Sequence, residues 1–171
     1  MSTAATEDYV AKRAKLLATL VLTRQKNVRP IDFHAAIDVG VDLIVQLPSI
    51  GESKFGPPIL PSLGVEVMGT DDSLETEAEA TAYANRHREN RPAGFWMGPI
   101  VFLLFSMNGD RGYFSWILEP KVTKAEGPTL IRVSSLDMTK ITKTSTEVIF
   151  RESAAWFEVM SQVLLRDKKP K

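Results

Sequence analysis

The run Pro99-Ile100-Val101-Phe102-Leu103-Leu104-Phe105 constrains this chain more than any other segment, because it is apolar without alternation. A strand with one solvated face alternates polar and apolar side chains; one that does not alternate is covered on both faces, like the central strand of a layered α/β domain. The turn signal Asn108-Gly109-Asp110-Arg111-Gly112 follows, and Tyr113 to Leu118 returns as an apolar partner, so a hairpin is predicted at the middle of the core. Leu130 to Val133 supplies one further short strand.

The segments around this hairpin alternate between helical and extended patterns. Thr6 reads as an N-cap with Glu7 and Asp8 behind it, acids that suit the positive end of a helix dipole. Val10, Ala14, Leu17 and Val21 then recur at helical spacing, with Lys12, Arg13 and Lys15 largely off that stripe, to about Gln25. Pro30 marks a break, and Phe33 to Leu47 reads as a kinked strand or a hairpin. Pro48 to Ser62 holds Gly51, Gly56, Pro57, Pro58 and Pro61 and is expected to be a long loop. Leu63 to Met68 is a second strand. An alanine-rich helix from Leu74 to about Glu89 follows, acidic early and basic late, with a thin stripe of Leu74, Ala78, Ala82 and Tyr83 that places it outside the sheet. Thr144 with Glu147 three residues on has a capping-box pattern, and Ile149, Ser153, Trp156, Met160 and Val163 mark the buried face of the last helix. The expected fold is α/β, a mixed central sheet flanked by the first and last helices.

A chain of 171 residues, 44% hydrophobic, suits one domain over 1–171, with a core at about 6–165 and a basic tail at 166–171. Charges balance at 21 acidic and 21 basic residues, which gives no general attraction to polyanions, although Arg86, Arg88 and Arg91 form a local basic group. Without cysteine there are no disulfides and no thiolate metal sites. No charged leader followed by an apolar stretch opens the sequence and no apolar run reaches membrane-spanning length, so a soluble cytoplasmic protein without a membrane partner is expected.

The candidate chemistry lies in Asp38-Val39-Gly40-Val41-Asp42 and in Gly64-Val65-Glu66-Val67-Met68. Carboxylates on adjacent strands can share a hard cation such as Mg2+ or Mn2+, whose preferred ligands are oxygens. This layout, in its order of helix, two acid-bearing strands, helix, buried strand, hairpin partner and helix, resembles the PD-(D/E)XK restriction-endonuclease-like superfamily. More narrowly it resembles a small bacterial domain family associated with defence genes. The resemblance implies that Asp42 and Glu66 bind a catalytic Mg2+ or Mn2+, that Glu7 on the first helix joins them, and that a lysine completes the site two residues after Glu66. Met68 stands there instead, and a thioether offers no proton and no positive charge to a phosphate. Lys54 and Lys12 are the candidates to replace that lysine.

Each of these residues also has a purely structural use. Asp38 with Gly40 suits a turn at a strand end, Glu66 between Val65 and Val67 suits a solvated strand face, and Glu7 suits a helix start. His34 and His87 lack a Cys or second His at zinc-ligand spacing, and no Gly-x-Ser-x-Gly elbow or phosphate-cradling loop is present. Phe95, Trp96 and the Tyr113 to Trp116 aromatics suit packing or base stacking. Three functions follow: a degenerate nuclease-fold domain that binds a protein partner, another copy of itself or nucleic acid in a defence or mobile-element context; an active Mg2+-dependent nuclease on DNA or RNA; or an unrelated α/β interaction domain.

Overall fold

The computed structural model describes residues 3–32, 40–48, 61–88, 96–123 and 127–166, with the backbone path alone for 3–7 and 164–166. In chain order its elements are α1 (Thr3–Leu22), β1 (Arg29–Asp32), β2 (Leu43–Gln46), β3 (Ser62–Thr70), α2 (Glu77–His87), β4 (Ile100–Ser106), β5 (Arg111–Thr123), β6 (Gly127–Arg132), β7 (Thr139–Lys140) and α3 (Lys143–Arg166). Among the described residues the strands form one sheet in the order β1-β2-β3-β4-β5-β6, with β7 also paired to β5. The β3–β4 pair is parallel and the others are antiparallel, so the sheet is mixed.

The apolar run predicted to be central is β4, and every one of its residues is buried. Val101, Leu103 and Phe105 point into a cluster closed by Val10, Ala14 and Ala18 of α1 and by Ile149, Phe150, Trp156 and Phe157 of α3. Ile100, Phe102 and Leu104 point into a second cluster closed by Ala80 and Ala84 of α2 together with Leu136 and Met138. The first and last helices therefore share one face, and α2 with the 133–138 segment covers the other. That division follows from the parallel β3–β4 pair, which needs a crossover, and α2 is the crossover.

Several local expectations shift. Thr6 lies inside α1, which begins at Thr3. Pro30 does not break the chain but sits in β1 opposite Val45, an edge position where a missing N–H is tolerated. Of the predicted Phe33 to Leu47 strand, Leu43–Gln46 is strand; 33–39 lies outside the described residues, as does 49–60 of the predicted loop. On α2 the sheet-facing alanines are Ala80 and Ala84, whereas Ala78 and Ala82 are exposed. An alanine-rich helix offers too little contrast between its faces for its sequence to choose among them. The N-cap of α3 is Thr142 rather than Thr144: Ser145 N donates to Thr142 Oγ1 at 3.1 Å and Thr142 N to Ser145 Oγ at 2.7 Å. Trp156 is buried and Met160 half-buried against the core as predicted, but Val163 is 39% exposed.

Polar contacts pin α2 to its surroundings. Thr76 and Glu79 form a capping box, with Glu79 N donating to Thr76 Oγ1 at 3.2 Å and Thr76 N to Glu79 Oε2 at 2.9 Å. Asn85 docks the segment before β7 in the manner of a paired strand, accepting from Leu136 N at 2.9 Å and donating to Leu136 O at 2.8 Å. At the start of the crossover, buried Ser106 Oγ donates to Asp72 O at 2.7 Å and accepts from Leu74 N at 3.3 Å. Tyr113 Oη donates to Leu74 O at 2.8 Å.

Two outcomes test this packing. Gly69 lies where a Cβ would meet the Val10 carbonyl oxygen and a Val10 methyl at 2.9 Å, so Gly69→Ala should push α1 off β3 and cost about 1–3 kcal/mol in urea unfolding. Backbone N–H groups of Glu75 and Thr76 hold the Glu79 carboxyl below its ordinary range. A depressed folded pKa contributes stability above the unfolded value and loses it as pH falls through the folded one. Protection of the first-turn amides of α2, taken relative to their intrinsic exchange rates at each pH, should therefore fall as the pH is lowered through the acidic carboxylate range, and Glu79→Gln should flatten that dependence.

Candidate functional site

Asp42 stands just before β2, at the end of its ladder to β3. Its backbone N donates to Val65 O at 2.8 Å, and its Oδ2 accepts from Val67 N at 2.8 Å, taking the place of a backbone carbonyl at the end of the β2–β3 ladder. Gly40 sits immediately upstream with φ of 69°, a left-handed conformation that glycine adopts without strain. The chain bends at Gly40 and again at Asp42 as it enters β2. The other carboxylate oxygen, Oδ1, lies 3.6 Å from Lys15 Nζ on α1, and the same ammonium lies 3.7 Å from Asp32 Oδ1 on β1. Beside them an open groove of about 470 Å3 is lined by Lys12, Lys15, Thr19, Pro30 and Asp32.

Glu66 points the other way. Strand alternation sends Val65 and Val67 to the α1 face and Glu66 with Met68 to the α2 face. There the Glu66 carboxylate, 4% exposed as a residue, meets Arg88 at the end of α2. Arg88 Nε donates to both Glu66 oxygens at 3.2 and 3.3 Å, and Nη2 donates to Oε2 at 3.1 Å. The guanidinium also lies 5.9 Å from the centre of the Phe102 ring, a cation–π contact. Met68 packs against the same cluster as Phe102. The expected solvent-facing alternative for Glu66 is thus overturned as well, because α2 covers this face of the sheet.

The two acids consequently take these cations from helices on opposite faces. Lys12 pairs with Asp8 at 2.6 Å, one helical turn away on the exposed side of α1. Glu7 belongs to α1, with its side chain outside the described atoms, and Lys54, Asp38, His34 and Phe95 lie outside the described residues. His87 stacks on Tyr83 with ring centres 4.3 Å apart. Among the described residues no group of three or more Asp, Glu, His or Cys side chains stands at metal-ligand spacing. The donors present do not suit a hard cation: one Asp42 oxygen is committed to a backbone amide, and both Glu66 oxygens face a guanidinium.

Lys15, Asp32 and Arg88 are the neighbours that sequence patterns missed. Arg88 had a signal, since Ala80, Ala84 and Arg88 fall at intervals of four and share the sheet-facing side of α2. Lys15 had none, because only the tertiary contact of α1 with the β1–β2 hairpin brings its ammonium to the aspartates. Comparison with protein-family models, with curated proteins and with solved structures gives no match. Among the described residues no helix is long and apolar enough to cross a membrane.

Side-chain exposures of 5% for Glu66 and 13% for Arg88 make this a buried ion pair. Removing Arg88 takes its guanidinium from a buried carboxylate, whereas replacing both members of such a pair costs far less. Arg88→Ala should lower stability by more than the double variant Glu66→Leu with Arg88→Met does, a difference readable by chemical denaturation.

Proposed function

We propose that this chain is a non-catalytic, restriction-endonuclease-like domain that works as a binding module, with a protein as its partner, in the cytoplasm of a bacterial cell and in a defence or mobile-element context. The observation that carries the reading is the Glu66–Arg88 pair under α2. The acid that a nuclease would give to Mg2+ or Mn2+ is neutralised by an arginine, and Met68 fills an apolar cluster where a lysine would face phosphate. Supporting it, Asp42 spends one oxygen on closing the β2–β3 ladder. An α/β domain of unrelated ancestry would use its acids in the same way, and its function would again be binding.

One contact favours the nuclease alternative. Lys15, rather than Lys12, is the described lysine beside Asp42, and a positive charge there is what phosphoryl chemistry needs. Thermal melts with and without Mg2+ or Mn2+ separate the two. A ligand that binds only the native state raises the melting temperature with its concentration. We expect no metal-dependent rise for the wild type beyond that of Asp42→Ala with Glu66→Ala, and no nicking of plasmid DNA or RNA. Metal-dependent cleavage abolished by Asp42→Ala and by Lys15→Ala would overturn the binding-module reading and establish an enzyme.

A further inference from the structure

On the face shared by α1 and α3, a groove of about 380 Å3 runs between the first half of α3 and the strand pair β5–β7. Phe114 and Trp116 form its floor, both half-buried and packed against the core, and Val148 forms the helix wall. Glu119, Asp137 and Glu152 line its rim. Glu119 is answered by Lys121. Asp137 and Glu152 form no ion pair among the described residues, whereas Asp8, Asp32, Asp42, Glu66 and Glu75 do. In a chain whose charges balance overall, this leaves an aromatic floor beneath uncompensated negative charge.

An occupant that satisfies both parts carries a cation on an apolar or planar body. Arginine fits better than lysine: its guanidinium stacks on an aromatic face, is weakly hydrated, and offers paired donors to carboxylates, whereas an ammonium is a compact, strongly hydrated point charge. We propose that this groove docks arginine side chains of a basic segment in a partner protein. The inference gives the binding-module reading a surface and a partner chemistry, and its test is separate, because the metal melts report on Asp42 and Glu66 while the groove is read at Trp116.

The experiment titrates a short, end-blocked peptide alternating glycine and arginine into the full chain and follows the tryptophan indole N–H signals by NMR. Trp96 Nε1 donates to Pro99 O at 3.1 Å and Trp156 Nε1 to Thr129 O at 2.9 Å, so both are held by protein carbonyls away from the floor and serve as internal references. A saturable shift at Trp116 is expected, weaker at high salt and weaker for the lysine peptide. Asp137→Asn with Glu152→Gln should reduce the affinity by about tenfold or more, the value of a hydrogen bond to a charged group. Both side chains are at the surface, and an unchanged dispersion of the remaining signals checks the fold. Absence of a shift at Trp116, an equal response to a peptide carrying uncharged citrulline, or unaltered affinity in the double variant would overturn the proposal. Saturation by tetramethylammonium ion at the same concentration as the peptide would also overturn it, since the groove would then be a site for small cations rather than for a protein segment.

Discussion

The structure depends on the need to cover β4 on both faces. Its side chains alternate between two apolar clusters, and neither cluster closes without helices on its own side. The parallel pairing of β3 with β4 then obliges the connecting chain to cross over one face, which places α2 there and leaves α1 and α3 to share the other. Every position on β3 inherits its environment from that division. Val65 and Val67 go to the α1 and α3 side; Glu66 and Met68 go beneath α2.

The chemistry of the acids is a consequence of this placement. A carboxylate under a covering helix loses most of its hydration, and it stays ionised at low cost only with a cation and hydrogen-bond donors against it. Arg88 supplies both, with three N–H contacts to the Glu66 oxygens. A buried pair of this kind adds little net stability compared with apolar residues of similar volume, but it penalises any displacement of α2 along the sheet that would separate the charges. Asp42 is held differently: it stands where the ladder ends, and its carboxylate replaces a backbone acceptor for Val67 N. The Lys15 ammonium lies between Asp42 and Asp32, which lowers the repulsion between carboxylates carried on neighbouring strands.

Features that burial enforces over many residues were legible in the sequence. The unbroken apolar run reads as β4, the Asn-Gly-Asp turn and the return to Tyr113 read as the β4–β5 hairpin, and Ile149, Ser153 and Trp156 read as the inner face of α3, because each repeats one signal over several positions. Features resting on a single polar contact were not. The start of α3 depends on Ser145 returning the hydrogen bond of Thr142, a pairing that the Thr144 and Glu147 pattern outcompetes on paper. The inner face of α2 depends on which alanines meet the sheet, and a methyl group gives nearly the same hydrophobic signal wherever it occurs. The acid pair was legible as residues but not as geometry: Asp42 and Glu66 stand out from their strands, while the cations facing them come from helices whose docking angle no local pattern encodes.

Charge balance over the whole chain conceals a division of labour between its faces. Arg88 is committed inside the fold to Glu66, Lys15 to the two aspartates at the hairpin, Arg13 to Asp110 across the β4–β5 turn, and Arg111 to Glu75 at the crossover. These cations answer acids that the fold itself brings together, and they tie helices or crossover segments to the sheet. Asp137 and Glu152 are not answered in this way among the described residues, and both line the groove that holds Phe114 and Trp116. A zero net charge is therefore compatible with a surface that is locally selective for cations, because fields at a groove are set by nearby uncompensated charges within about 10 Å, the screening length at moderate salt, and not by the total.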